Sequence, residues 1–143
     1  MCIFSSLLFA LSSVFCLTNS QAQNRIPIPY SLTVKGQIQC EKRPGVWKVT
    51  GTKIDLYDED TIFDSHMGST VVTDQAGYFE VSGWAVEEPL AGPIDPYLDI
   101  VYTCGQVARP CILRFVVGGK DVLPFQTIDV GTISLTMRDC KKN

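Results

Sequence analysis

Four carboxylates crowd into seven residues at Asp58-Glu59-Asp60-Thr61-Ile62-Phe63-Asp64. Hard cations take several oxygens, so calcium is the chemistry that such a run could serve, but the spacing of an EF-hand loop, with its central Gly and terminal Glu, is absent. The run therefore reads as a solvated loop with no metal, and Asp58, Glu59, Asp60 and Asp64 stand as candidate partner-binding residues. A second candidate is Trp84, which like Trp47 and Tyr97 is an aromatic residue in or beside a loop, a type that interfaces favour. His66 is the one histidine and reads as an exposed residue of a polar loop. A site built on two imidazoles cannot be assembled from it, and a Ser or Cys nucleophile would need a base within reach. The sequence predicts no enzyme, and nothing in it points to a cofactor.

The cysteines have a simpler use. Cys2 and Cys16 lie in an apolar leader, which leaves Cys40, Cys104, Cys111 and Cys140. An even number in an exported chain reads as two disulfides, since no Cys-x-x-Cys pair exists to build a zinc site. Four cysteines permit three connectivities. The short segment with Gly105 and Pro110 favours Cys104 with Cys111, which would leave Cys40 to join Cys140. Loop entropy gives roughly 2.5 kcal/mol for the short bridge and about 4.7 kcal/mol for the long one, before strain is subtracted.

The compartment follows from the leader. Ile3 to Leu17 is apolar or Ser without a charge, and small residues at Ser20 and Ala22 suit a signal peptidase, so residues 1–22 are expected to be removed. No Lys or Arg precedes the run, and it is shorter than the roughly 20 apolar residues that span a bilayer. A secreted, extracellular chain without a transmembrane segment is the expectation. Residues 23–143 suit one domain, and their formal charge of −3 without a long basic run disfavours nucleic acid.

The elements that must position these residues are short and β-like. Residues 23–30, with Pro27 and Pro29, read as an extended, poorly anchored arm, and the domain proper as 31–143. Leu32, Val34, Ile38 and Cys40 share one parity against Thr33, Lys35, Gln37 and Gln39, with a bulge or close approach at Gly36. Trp47 and Val49 fall in a turn region, as a lid or short strand, before Lys53 to Tyr57 alternates again. Asp74 and Gly77 carry turn chemistry, the carboxylate for nearby amides and the glycine for positive φ, which predicts a hairpin of Ser69–Thr73 with Tyr78–Ser82. Gly83 to Pro96, with Pro89 and Pro93, reads as an irregular crossover containing Trp84. Tyr97 to Thr103 is apolar on both parities and reads as a central strand; Ile112–Val117, a short Val122–Phe125 and Thr127–Met137 follow. Seven or eight short strands without a helical segment predict an all-β, two-sheet sandwich.

Several stretches carry a resemblance. Val34-Lys35-Gly36-Gln37, Val49 to Tyr57 running into Asp58-Glu59-Asp60, Thr73-Asp74 to Gly77-Tyr78-Phe79, and Ile94-Asp95-Pro96-Tyr97-Leu98 resemble the nematode transthyretin-like family. Cys104 and Cys111 bracket Arg109-Pro110, and Asp129-Val130-Gly131-Thr132-Ile133 looks like that family's closing strand motif. The resemblance implies a secreted, disulfide-stapled, transthyretin-like sandwich of a family whose members look like extracellular binding or surface-associated proteins. Hydroxyisourate hydrolases, also relatives of transthyretin, combine histidines, an arginine and a C-terminal Tyr-Arg-Gly-Ser; this chain has His66 alone and ends Arg138-Asp139-Cys140-Lys141-Lys142-Asn143. Transthyretin itself carries thyroid hormone in a channel of its tetramer, and a carrier of a small hydrophobic ligand in an oligomer is the alternative function, with Lys35 at the mouth. The preferred expectation is recognition of an extracellular protein or a lipid head group through the segments Asp58–Gly68 and Gly83–Pro96.

Overall fold

A computed structural model describes residues 26–41, 48–87, 92–104, 109–118 and 122–136. Within them run seven strands and no helix: β1 (Ile28–Cys40), β2 (Lys53–Asp58), β3 (Ser65–Val71), β4 (Tyr78–Glu87), β5 (Pro96–Tyr102), β6 (Cys111–Val116) and β7 (Gln126–Leu135). They form a three-stranded sheet in the order β4-β1-β7 and a four-stranded sheet in the order β3-β2-β5-β6. All pairs are antiparallel except β1 with β7. The expected sandwich is present, and β5 is an inner strand of its sheet.

Alternation builds the core. Leu32, Val34 and Ile38 of β1, with Val81, Ile133 and Leu135 beside them, meet Ile54, Leu56, Leu98 and Ile100 of the other sheet, each 4% exposed or less. Apolar burial of this kind is the main favourable term in folding. Gly36 faces the β1–β7 register shift, where the extra residue falls in β7 between Asp129 and Thr132. Of the bulge or close approach expected at Gly36 it is therefore the close approach that is found: a Cβ there would lie 2.7 Å from Val130 and 2.8 Å from the Gly131 carbonyl oxygen. Tyr102 closes one end, donating its hydroxyl to the Thr136 carbonyl at 2.7 Å from the opposite sheet.

Four readings need correction. The first is the covalent pattern: Cys40 is bonded to Cys104, with Cα atoms 5.6 Å apart, so neither Cys104–Cys111 nor Cys40–Cys140 forms. Cys40 ends β1 in one sheet and Cys104 follows β5 in the other, so the bridge staples the sheets together. Cys111 is also disulfide-bonded, while Cys140, like Trp47 and the leader, lies outside the described residues. Sequence proximity favoured the wrong pair because chain distance does not report which sheet each cysteine enters.

The second is the hairpin. Asp74 accepts from the Ala76 amide at 2.9 Å and Gly77 has φ +85°, so the local chemistry holds. Yet β3 pairs with β2 and β4 with β1, and the turn carries the chain from one sheet to the other. The Gly77 carbonyl then accepts from Ile38 at 2.9 Å, tying the corner to β1. Third, Ile28 to Tyr30 are strand residues and not an arm, with Tyr30 buried. Pro29 is tolerated because at that level β1 pairs with β4 alone, β7 joining at Leu32. Fourth, Val122–Phe125 forms no strand, and Phe125 takes a positive φ of 60° just before β7.

Candidate functional site

The acidic segment is divided by the end of a strand. Asp58 is the last residue of β2, on the parity of Ile54 and Leu56, and is 1% exposed. It is therefore not a hydrated loop charge. Its Oδ1 accepts from the Asp95 amide at 2.8 Å, and its Oδ2 is buried without a hydrogen-bond partner. Glu87, the last residue of β4, continues the inward parity of Val81 and Ala85 and is 9% exposed. One carboxylate oxygen from each of Asp58, Asp60 and Glu87 lies within 4.8 Å of the others. Burial, and then the facing carboxyl of Asp58, push Glu87 up to about 7. Asp58 is raised as well, chiefly by burial. Like charges drawn together out of water each disfavour ionisation of the other.

Beyond Asp58 the loop is tied from below. Ser65 donates to Asp60 at 2.6 Å, the Asp60 amide donates to Asp64 at 3.3 Å, and the Tyr97 hydroxyl donates to Asp64 at 2.6 Å. Arg114 lies over the Tyr97 ring, its guanidinium carbon 3.8 Å from the centroid, and reaches Asp99 at 3.4 Å and Asp64 at 3.6 Å. The hydrogen bond from Tyr97 holds the Asp64 carboxyl below its ordinary range. Ile62 and Phe63, at the tip, do not cover the core: they are 81% and 83% exposed. A groove of about 420 Å³ runs beside the loop, lined by Asp60, Ser65, His66, Trp84, Val86 and Glu87 among others. Trp84 is a β4 residue, 69% exposed on the outer face, and not part of a crossover loop. Gly83 reads as a loop start, but it serves a close crossing, since a Cβ there would fall 2.6 Å from Met67.

The fold thus brings Asp60 and Trp84 to one groove, places Asp58 beneath it and turns Asp64 to the outer face of the four-stranded sheet. Glu59 donates its amide to the Asp95 carbonyl at 3.1 Å. The residue that the sequence reading missed is Glu87. Its signal was available: Phe79, Val81, Ala85 and Glu87 share one parity, so a carboxylate stands where the pattern calls for a core residue.

His66 belongs to β3 and not to a loop, and stacks edge-on against Tyr57 with ring centroids 5.1 Å apart. Its Nε2 lies 2.9 Å from Ser69 Oγ, and Ser69 donates to Asp55 at 2.5 Å. Because the Ser69 proton goes to Asp55, Nε2 must itself be the donor to Ser69. A nucleophile–base pair needs the opposite polarity.

The TTR-52 model of the transthyretin-like family matches residues 35–117. Transthyretin-like protein 1 of Caenorhabditis elegans is 30% identical over 142 residues, covering 90% of this chain and 86% of its own. Transthyretin-like protein 33 of the same organism is 31% identical, covering 94% and 97%. Among solved structures, a 9R-lipoxygenase from Cyanothece PCC8801 overlies 72% of this chain with a TM-score of 0.44 and 21% identity. That overlap is 16% of the lipoxygenase chain and bears on neither site nor function. The family match over more than half of the residues, with relatives that align along nearly the whole length, gives the conclusion that this chain belongs to the transthyretin-like family.

Proposed function

We propose that the protein is a secreted, non-enzymatic binding protein that recognises a cell-surface protein or lipid partner through the β2–β3 loop and the groove beside it. The observation that carries this reading is the exposed pair Ile62–Phe63, presented on a loop whose base is held by Asp60, Asp64, Ser65 and Tyr97. Apolar side chains left in water on an anchored loop favour a partner that removes them from it, and ordering the loop beforehand lowers the entropic cost of binding. Trp84 adds aromatic area on the other side of the groove, and Asp60 with Glu87 gives it acidic character. The carrier reading is weaker. The outer face of the three-stranded sheet offers Thr33 bonded to Ser82 at 2.8 Å and Lys35 at 3.9 Å from Asp129, a surface suited to water.

The test is capture from surface-labelled nematode cells and, in parallel, flotation with vesicles of neutral or anionic lipid, with the full chain and its disulfides formed. The double variant Ile62→Ser, Phe63→Ser should lose most of the capture while its melting temperature stays within a degree or two. Undiminished capture by that variant, with loss on Trp84→Ala alone, would place recognition on the strand face and refute the loop-tip reading.

A further inference from the structure

The buried Asp58 carboxylate is anomalous on its own terms. An ionised side chain 1% exposed is expected to be paired and hydrogen-bonded, but Oδ2 meets no donor except the carboxyl of Glu87, which can donate only while it carries a proton. What faces it is acid: Glu87 from the end of β4 and Asp60 from the first turn of the loop. Among the described residues, no Lys, Arg or His forms an ion pair with any of the three. Two occupants would remove the repulsion, a proton held between Asp58 and Glu87 or a cation held by all three.

We propose that Asp58, Asp60 and Glu87 form a calcium site at the loop end of the sandwich. Two of the ligands, Asp58 and Asp60, belong to the acidic run at the end of β2 and the third, Glu87, to the end of β4, which is why spacing within the run alone does not mark the site. Oxygens that share one calcium ion at about 2.4 Å each can lie up to about 4.8 Å apart, whereas magnesium at about 2.1 Å holds its ligands within about 4.2 Å. One oxygen from each lies within 4.8 Å of the others, a spacing that one calcium ion can span, and ligands set on two strand ends and a loop suit calcium's flexible coordination better than the near-ideal octahedron that magnesium demands. Asp58 supplies a desolvated oxygen at the floor, while Asp60 and Glu87 line the groove and leave room for water to complete the six to eight oxygens that calcium takes. The ion would tie the end of β2 to the end of β4, strands of opposite sheets, and fix the root of the loop that carries Ile62 and Phe63. The site stands apart from the partner reading, because the ion can be measured on the protein alone.

The experiment uses the full chain, disulfides formed and freed of metal by chelation, titrated with calcium chloride by calorimetry and by thermal unfolding. One ion should bind, with Kd on the order of 0.1–1 mM as in extracellular modules, and the melting temperature should rise with calcium concentration. Magnesium should bind at least about tenfold more weakly. Asp60→Asn and Glu87→Gln should each weaken calcium by about tenfold or more, whereas Asp129→Asn, an exposed acid on β7, should leave it unchanged. Terbium in place of calcium should show luminescence excited through Trp84, displaced by calcium and lost in Trp84→Phe. No heat and no thermal shift at about 10 mM calcium would overturn the site. So would a calcium response that survives in both Asp60→Asn and Glu87→Gln, or a Glu87→Gln protein that melts higher than the parent when the parent ignores calcium, since that result assigns a shared proton to the pair.

Discussion

Burial works against ionisation of Asp55, yet the hydroxyl of Ser69, the ammonium of Lys53 at 2.9 Å and the ring of His66 together hold its carboxyl below the ordinary 3.8. The folded chain therefore binds this proton less tightly than the unfolded chain does. The stabilisation is complete above about 3.8 and is lost as the pH falls through the lowered folded value. Asp55→Asn should cost about 1 kcal/mol at pH 7 and should flatten the acid limb of the stability curve below pH 4, as read by urea unfolding across that range. A second residue-scale contact is Tyr97, whose hydroxyl donates to Asp64 and accepts from Arg114 at 3.0 Å. Tyr97→Phe removes a bond to a charged acceptor and should cost about 1.5 kcal/mol in the same measurement. It also follows that Asp64 is no neutral position for charge reversal, because a lysine there would meet Arg114. Neither cluster was legible beforehand. Asp55, Ser69 and His66 are brought together by β2–β3 pairing, and Asp64, Tyr97 and Arg114 by β5–β6 pairing with the loop folded over it. No local pattern encodes such lateral neighbours.

The strands themselves were far more legible than their partners. Parity alone separates Leu32, Val34 and Ile38 from Thr33, Lys35 and Gln37, because a half-buried strand must alternate. The Asp74–Gly77 turn was equally readable, since an Asx bond and a positive φ are local properties. Which sheet the next strand joins is not local. That choice shows in the two glycines where β3 and β4 cross at contact distance: a Cβ at Gly68 would lie 2.2 Å from the Ser82 carbonyl oxygen, and one at Gly83 would lie 2.6 Å from Met67. A side chain at either point would push the two edge strands apart and open that side of the sandwich. Gly68→Ala should therefore destabilise by about 2–3 kcal/mol, the range for overpacking against groups that cannot yield. Thr70→Ala, further along β3 and partly buried, should cost less than half as much. Equal losses in thermal unfolding would show that the crossing is not the constraint. The same non-locality explains Trp84, which reads as a loop residue because Gly83 precedes it and prolines follow, while the strand runs on to Glu87.

The two ends of the molecule are built on different physics. At one end Cys40 closes onto Cys104 and the Tyr102 hydroxyl reaches across to Thr136, so a covalent and a hydrogen bond join the sheets, while the Gly77 carbonyl accepts from Ile38 and holds the corner onto β1. At the other end, strands from both sheets finish in carboxylates, Asp58 and Glu87, and the loop between β2 and β3 puts apolar side chains into water. On the proposed reading, stability is concentrated at the first end and recognition at the second, an arrangement in which the sandwich can bear an unfavourable acidic cluster without coming apart. The bridge spans a sequence separation of 64, for which loop entropy gives about 4.3 kcal/mol before strain. Cys40→Ser together with Cys104→Ser should therefore lower stability by about 3–4 kcal/mol, and peptide mapping of the parent should recover Cys40 linked to Cys104. If the division of labour holds, hydrogen exchange in the double variant should quicken first near Ile38, Gly77 and Tyr102 and last at Asp58, Ser65 and Glu87, since the lost constraint acts where the sheets were joined. Partner capture by the folded fraction should then match the parent. A variant that folds to the same extent but loses capture would show that the staple also shapes the loop end, and that the two ends are coupled through the core that separates them.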